Sequence, residues 1–281
     1  MKMDSKLLFQ RLMGELTLSE SQEEKEAIIY WLLEHQLKLS RAELMTGKAI
    51  SVDEPNLNSL LHRLNQQEPL QYILGESEFY GRKFLVSPDV LIPRPETELL
   101  VKEIVEYGKT RNDISILDIG TGSGCIAISL ALELPMASVS ATDLSENALT
   151  VARNNSQRLR APVNFILHDI LHTELPMVMF DVVVSNPPYI PISERNTLNK
   201  NVRDFEPEIA LFVNGSDPLQ FHKAIASKAM KVLNADGLLI IEIHESFGHE
   251  TASVFEAAGL NQVRIIQDLS GKDRFVAGNK R

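Results

Sequence analysis

At 281 residues the chain is long enough to bury a sizeable core and to hold two domains. Its formal net charge of −10 weighs against a DNA- or RNA-binding surface, which needs a basic stripe, and favours a protein or small-molecule substrate. One cysteine rules out an internal disulfide, no apolar run approaches the ~20 residues of a membrane span, and the polar start Met1-Lys-Met-Asp-Ser-Lys6 lacks signal-peptide organisation, so a cytoplasmic location with no membrane association is expected.

Residues 5–74 read as helices. Leu7, Leu8, Leu12 and Leu16 recur at helical spacing, as do Ala27, Ile28, Trp31, Leu32 and His35. Ser40-Arg-Ala-Glu43 fits a capping box opening a short helix, and Leu57, Leu60, Leu61 and Leu64 mark another. Nothing here has a catalytic pattern; a bundle of this size packs, recognises a partner, or does both. Between 76 and 93, Phe79, Phe84, Val86, Val90 and Ile92 are interrupted by Gly81 and Pro88, which predicts a short hairpin. Pro93 and Pro95 stop it, and Glu96-Thr-Glu98 opens a helix with acids in its first turn. The expected organisation is a helical domain over 1–75, a hairpin-and-helix connector over 76–110 and an α/β domain over 111–281.

From residue 111 onward strand and helix alternate, the signature of a parallel sheet with helices on both faces. Strands are predicted at Ile114–Leu117, Ser138–Ala141, Val163–Leu167, Phe180–Val184 and Gly237–Ile243, with a final pair near Asn261–Gln267 and Asp273–Ala277. Helices fall around 125–133, 146–159, 217–233 and 248–258. Ligands of such open sheets bind beyond the C-terminal strand ends, where strand order reverses. Asp118, Asp143, Asp169 and Asn186 lie at or just past four of those ends.

The first of these ends opens into Asp118-Ile-Gly120-Thr-Gly122-Ser-Gly124-Cys125, with a glycine at every second position. Glycine allows tight turning and close approach of a ligand to the backbone. The dinucleotide fingerprint is excluded, because Cys125 stands where its third glycine would fall. Asp118 also argues against a pyrophosphate: a carboxylate there repels phosphate and attracts the ammonium of an amino acid. Asp143, at the end of the next strand, is placed to accept ribose hydroxyls. Ribose plus an α-amino group without phosphates describes S-adenosylmethionine better than NAD. Asp169 is placed to accept from an adenine amine. His168 and His172 are spaced by four, but in a strand-to-loop context with no third ligand, so no metal is expected.

The fourth end is Val183-Val184-Ser185-Asn186-Pro187-Pro188-Tyr189. Two prolines cannot continue a ladder and hold the chain extended and stiff. The Asn186 side-chain oxygen and a nearby carbonyl then form a pre-set acceptor pair with an aromatic wall beside it. Such a site suits a planar –NH2 group. By itself the tetrapeptide is equally well read as a stiff turn; the glycine loop upstream tips the balance.

Together, Asp118-Ile-Gly-Thr-Gly-Ser-Gly124 and Asn186-Pro-Pro-Tyr189 resemble the class I S-adenosylmethionine-dependent methyltransferases that act on amino or amide nitrogens. Glu68-Pro-Leu-Gln-Tyr-Ile-Leu-Gly75, Phe79-Tyr-Gly81, Leu91-Ile-Pro-Arg-Pro-Glu-Thr-Glu98 and Asn201-Val-Arg203-Asp-Phe-Glu206-Pro207 narrow the resemblance to the bacterial release-factor glutamine methyltransferases, the HemK/PrmC family. It runs over nearly the whole chain. The resemblance implies an α/β fold: a class I Rossmann-like seven-stranded sheet, preceded by a small all-α N-terminal bundle and a connecting β-hairpin. It implies methyl transfer from S-adenosylmethionine, leaving S-adenosylhomocysteine, to the glutamine of the exposed Gly-Gly-Gln loop of peptide chain release factors. On this resemblance the cofactor meets Asp118, the loop Gly120, Thr121, Gly122, Ser123 and Gly124, then Asp143 with Leu144, Asp169 with Ile170, and Asn186. Asn186, Pro187 and Tyr189 carry the catalysis, and Pro188 completes the substrate site. Glu242-Ile243-His244 departs from the family's usual Glu-Ile-Gly and leaves that turn open.

A glutamine amide is a poor nucleophile because its lone pair is delocalised. Donating both N–H bonds to Asn186 Oδ1 and the Pro187 carbonyl would raise electron density on nitrogen and aim it, with Tyr189 against the amide plane. Arg94 is left between bracing the cleft and bracing a domain junction, and Arg203 and Glu206 between lining the entrance and pairing with each other. The expected partner is a release factor, with no nucleic acid, and no heptad or apolar stripe demands a dimer, so a monomer is expected. Rival readings are a ribosomal-protein glutamine methyltransferase, a DNA adenine-N6 methyltransferase, and a non-enzymatic S-adenosylmethionine-binding adaptor. The acidic balance disfavours the second, which needs a basic groove, and intact Asn186–Tyr189 argues against the third.

Overall fold

The computed structural model describes every residue except Met1, Asn112, Asn214 and Ser216. The chain divides into two compact units: residues up to Glu76 with Asn199–Phe205, and Ser77–Leu198 with Glu206–Arg281.

In the first unit, helices α1 (Ser5–Glu15), α2 (Gln22–Leu37), α3 (Arg41–Met45), α4 (Glu54–Asn65) and α5 (Leu70–Leu74) surround one apolar core. Leu8, Leu12, Ile29, Leu32, Leu33 and Leu44 are fully buried in it, each contributing about 1.5–3 kcal/mol by leaving water. The helix starts are written locally. Ser21 with Glu24 and Ser40 with Glu43 form reciprocal capping boxes, and Asp4 and Asp53 cap α1 and α4. The unit also holds an antiparallel ribbon, Lys2–Asp4 against Ala49–Ser51, with Met3 opposite Ile50. Three-residue strands are too short for a period-2 signal, so the ribbon departs from the all-helical expectation for 5–74. The short helix α9 (Lys200–Phe205) also belongs to this unit.

The second unit is built on a seven-stranded sheet: β1 (Ser115–Ile119), β2 (Ser138–Asp143), β3 (Val163–Leu167), β4 (Phe180–Ser185), β5 (Leu233–Glu242), β6 (Leu260–Gln267) and β7 (Asp273–Lys280). Their order across the sheet is β6-β7-β5-β4-β1-β2-β3. All pairs are parallel except those made by β7, which runs antiparallel to both neighbours. Buried on both faces, the central strands carry continuous apolar runs: Val182–Val184 and Leu239–Ile241 have no exposed surface. Helices α6 (Glu98–Gly108) and α7 (Cys125–Glu133) contribute to the core on one face, α11 (Gln220–Val232) and α12 (Gly248–Ala258) to the core on the other. Helix α8 (Glu146–Leu159) joins β2 to β3, and the one-turn α10 (Glu208–Leu211) follows Pro207. Cys125 is buried, a core thiol.

The segment expected as a connector is built into this core. Tyr80 and Gly81, at φ 49° and 70°, form the two-residue turn of the hairpin. Phe79 and Phe84 pack edge to face, centroids 6.1 Å apart, in the cluster that holds Leu100, Val101 and Ile104 of α6. No helix among the described residues is long and apolar enough to cross a membrane. Strand order reverses between β1 and β4, where Ile119 stands opposite Ser185. The Ser185 hydroxyl donates to the Ile119 carbonyl across that point, 2.6 Å.

Candidate active site

Beyond these strand ends lies a cavity entirely within the second unit. Its first wall is the glycine loop. Gly120, Gly122 and Gly124 adopt φ of 73°, 54° and 81°, the left-handed region that L side chains avoid. A Cβ on Gly120 or Gly122 would meet nothing within 4 Å, so the loop backbone faces open space. A Cβ on Gly124 would meet Ile128 Cδ1 at 2.9 Å and Ala152 Cβ at 3.2 Å: this glycine lets α7 and α8 close up. Gly120, Thr121, Gly122 and Ser123 line the cavity; Gly124 does not.

Asp118 lies beneath that loop, fully buried and not among the lining residues. Its Oδ2 accepts from the Thr121 hydroxyl at 2.7 Å. Burial pushes its carboxyl up to about 7. Asp143 lines the cavity with Leu144. Its oxygens accept from the Gly122 and Ser145 N–H groups, at 2.8 and 2.9 Å, which fixes the carboxylate while leaving lone pairs free. Asp169 and Ile170 line it as well. Asp169 caps the turn after β3, accepting from the Leu171 and His172 N–H groups and from His172 Nδ1 at 2.8 Å; the His172 bond is the main cause holding its carboxyl below the usual range.

Asn186, Pro187 and Pro188 line the opposite wall. Tyr189 does not: its hydroxyl turns inward and donates to Glu242 Oε1 at 3.2 Å, and its ring meets the edge of His244 at 6.2 Å. The same carboxyl accepts from the Thr97 hydroxyl through Oε2 at 2.7 Å. Thr97 in turn accepts from Asn186 Nδ2 at 3.4 Å. Thr97 and Glu242 are each only 2% exposed. Burial pushes Glu242 up to about 7, opposed by its two hydroxyl donors and by Arg274, and burial also raises the Tyr189 hydroxyl.

The motif readings gave Thr97, Glu242 and His244 no role in the site. Thr97 sits in the Leu91–Glu98 stretch and Glu242 in the Glu242-Ile243-His244 turn, both of which the resemblance singles out. His168 also lines the cavity, with Nδ1 against Thr173 Oγ1 at 3.2 Å and a buried Nε2 without a partner. Arg94 reaches the cavity and pairs with Glu206, whose second oxygen accepts from the Ile92 N–H at 3.2 Å. Arg203 pairs with Asp204, Nε to Oδ1 at 2.7 Å.

The fold recurs in solved structures. A methyltransferase from Pyrococcus furiosus superposes with TM-score 0.53 at 18% identity, covering 82% of this chain and 99% of that one. A 16S rRNA N2 G1207 methyltransferase from T. thermophilus does so with TM-score 0.54 at 15% identity, covering 73% and 50%. At such identities the likeness fixes the fold, that of a methyltransferase. The family model described as methyltransferase small domain matches residues 95–203, and the PrmC N-terminal domain model matches 11–75. A release factor glutamine methyltransferase from Bacteroides thetaiotaomicron is 41% identical, covering 92% of this chain and 94% of that protein. One from Lactococcus lactis subsp. lactis is 39% identical, covering 93% and 96%. The chain belongs to the release factor glutamine methyltransferase family.

Proposed function

We propose that this protein methylates the side-chain nitrogen of a glutamine in peptide chain release factors, using S-adenosylmethionine. The observation that carries the reading is the Asn186 amide: with Nδ2 bound to Thr97, Oδ1 remains as a free acceptor on a cavity wall stiffened by two prolines. The residues present fit the cofactor. The open space over Gly120 and Gly122 admits a ligand against the backbone, and Asp143, held by two N–H groups, has lone pairs left for ribose hydroxyls. Ile170 and Leu144 offer apolar contact to the adenine, and Asp169 an acceptor. Asp118 acts through Thr121, fixing the loop from below. When bound, S-adenosylmethionine supplies an electrophilic methyl carbon on a sulfonium.

The chain's own residues then do three things. Asn186 Oδ1 and the Pro187 carbonyl accept the two N–H bonds of the glutamine amide, raising electron density on its nitrogen. Pro187 and Pro188 keep those acceptors at fixed separation, so the orientation is set before substrate arrives. As positive charge grows on nitrogen, both dipoles strengthen their hold, which favours the transition state over the bound amide. The proton leaves after methyl transfer, to water or to a nearby carboxylate. We assign the glutamine to the Gly-Gly-Gln loop on the family resemblance, and recognition of the release factor to the helical first unit.

The test is methyl transfer to purified, unmethylated release factor, read by peptide mass spectrometry. A gain of one methyl on that glutamine, lost in Asn186→Ala, is expected. Cofactor binding without any gain would overturn the reading, and a gain on ribosomal protein alone would replace its substrate.

A further inference from the structure

An asparagine amide has nearly the same shape whichever way round it sits, and a hydroxyl partner accepts either way, since it can both donate and accept. Contact with Thr97 alone therefore leaves open whether Asn186 shows the cavity its oxygen or its NH2. Only the oxygen can receive an amide N–H. Resting on the function proposed above, we propose that Thr97 and Glu242 are positioning residues whose one-way hydrogen-bond chain holds the Asn186 oxygen toward the substrate.

An ionised carboxyl only accepts, so the Thr97 hydroxyl must give its single proton to Glu242 Oε2, 2.7 Å away. With that proton committed, Thr97 Oγ1 can only accept from its other neighbour, and Asn186 Nδ2 is the group that faces it, at 3.4 Å. Oδ1 is thereby left for the substrate. The second arm ends on the same carboxyl: Tyr189, three residues beyond Asn186, donates to Oε1 at 3.2 Å. Both ends of the Asn186–Tyr189 segment are thus referenced to one buried group. It is buried enough to exclude competing water, with Thr97 and Glu242 each 2% exposed.

The charges around Glu242 decide when it is acceptor-only. Arg274, from β7, favours its ionised form, and Glu96, beside Thr97, opposes it. His222 of α11 contacts the Glu242 backbone carbonyl at 3.1 Å, its ring kept neutral by burial with its pKa lowered to about 4. His244 lies against the Tyr189 ring, and the Cys125 thiol is held protonated, pushed up to about 12 by burial. Glu242 itself ionises near 7. Below that pH it carries a donor able to reverse the chain; above it the chain runs one way. Turnover should therefore rise with pH through about 7.

The experiment compares wild type, Thr97→Val, Thr97→Ser and Glu242→Gln with unmethylated release factor. It reads kcat and KM separately across this pH range, and S-adenosylhomocysteine affinity by calorimetry. Removing the hydroxyl in Thr97→Val should lower kcat about tenfold or more, and Thr97→Ser should restore most of it. KM for release factor should hardly move, because the protein partner is held by far more surface than one amide. Cofactor affinity should stay within about threefold, as the hydrogen bonds of Thr97 and Glu242 run to each other, to Asn186 and to Tyr189. Glu242→Gln, which places a permanent NH2 donor in the chain, should lower kcat similarly and abolish the rise near pH 7. If wild type methylates release factor and both Thr97→Val and Glu242→Gln keep its kcat and pH profile, the proposal is wrong. It is also wrong if Thr97→Ser is as slow as Thr97→Val, or if cofactor affinity collapses alongside kcat. A wild type that binds cofactor but methylates nothing would instead overturn the functional reading beneath it.

Discussion

The loop after β1 and the segment after β4 leave adjacent strands, with Ile119 and Ser185 in register, yet they are made in opposite ways. Gly120–Gly124 is a backbone device: left-handed φ values, open space over two glycines and N–H groups anchored on Thr142 and Asp143. Asn186–Tyr189 is a side-chain device: its shape comes from two prolines, but its polarity comes from Thr97 and Glu242 on other elements. A ligand recognised largely by fit can lie close against backbone. An acceptor that must be an oxygen and not an NH2 needs a partner that breaks the symmetry of the amide, and an ionised carboxyl does that.

Four measurements test this contrast, in order of decreasing expected effect. Asn186→Ala should lower methyl-transfer kcat by about 10²–10³-fold, the scale of losing one preorganised transition-state contact, and cofactor affinity far less; equal loss of both would merge the two devices into one. Next comes pH. Asp118 titrates near 7 when folded, against an ordinary 3.8, so the native state holds its proton where the unfolded chain has lost it. Stability should therefore fall as pH rises from about 4 through about 7, by a few kcal/mol at about 1.4 kcal/mol per pH unit. Denaturant unfolding at several pH values should show the slope reduced in Asp118→Asn, with a remainder of the same sign from Glu242. An unchanged slope would mean the loop does not rest on a protonated Asp118.

Smaller effects separate the glycines. Gly124→Ala puts a methyl 2.9 Å from Ile128 and 3.2 Å from Ala152 at positive φ, and should cost about 2 kcal/mol of stability. Gly120→Ala meets no protein atom and should cost about 1 kcal/mol from φ alone, but should weaken cofactor binding more than Gly124→Ala does. The reverse ranking in calorimetry would contradict the assignment of one glycine to packing and the other to the ligand. Least affected should be His172→Ala: its hydrogen bond with Asp169 has a histidine side chain 79% exposed, and loss of such a contact should move stability by less than about 1 kcal/mol in a thermal scan.

What the sequence determined by itself is what depends on residue type and near neighbours. Alternating glycines announce left-handed turns because only glycine takes them freely, and Asn-Pro-Pro-Tyr announces a stiff acceptor because prolines forbid a ladder. Apolar runs broken by turn residues gave the sheet, and Ser40 with Glu43 gave a helix start. The short ribbon at Lys2–Asp4 escaped for lack of length. Packing, by contrast, sets which common residues become neighbours in the absence of water. Thr97 and Glu242 stand 145 positions apart, Arg94 and Glu206 112 apart, and neither pair has a local pattern. The inward turn of Tyr189 and the burial of Asp118 beneath its loop are of the same kind. A carboxyl gains a raised pKa and the power to orient an amide only once folding has removed its solvent, and that removal is a property of strand register and packing rather than of any short stretch of chain.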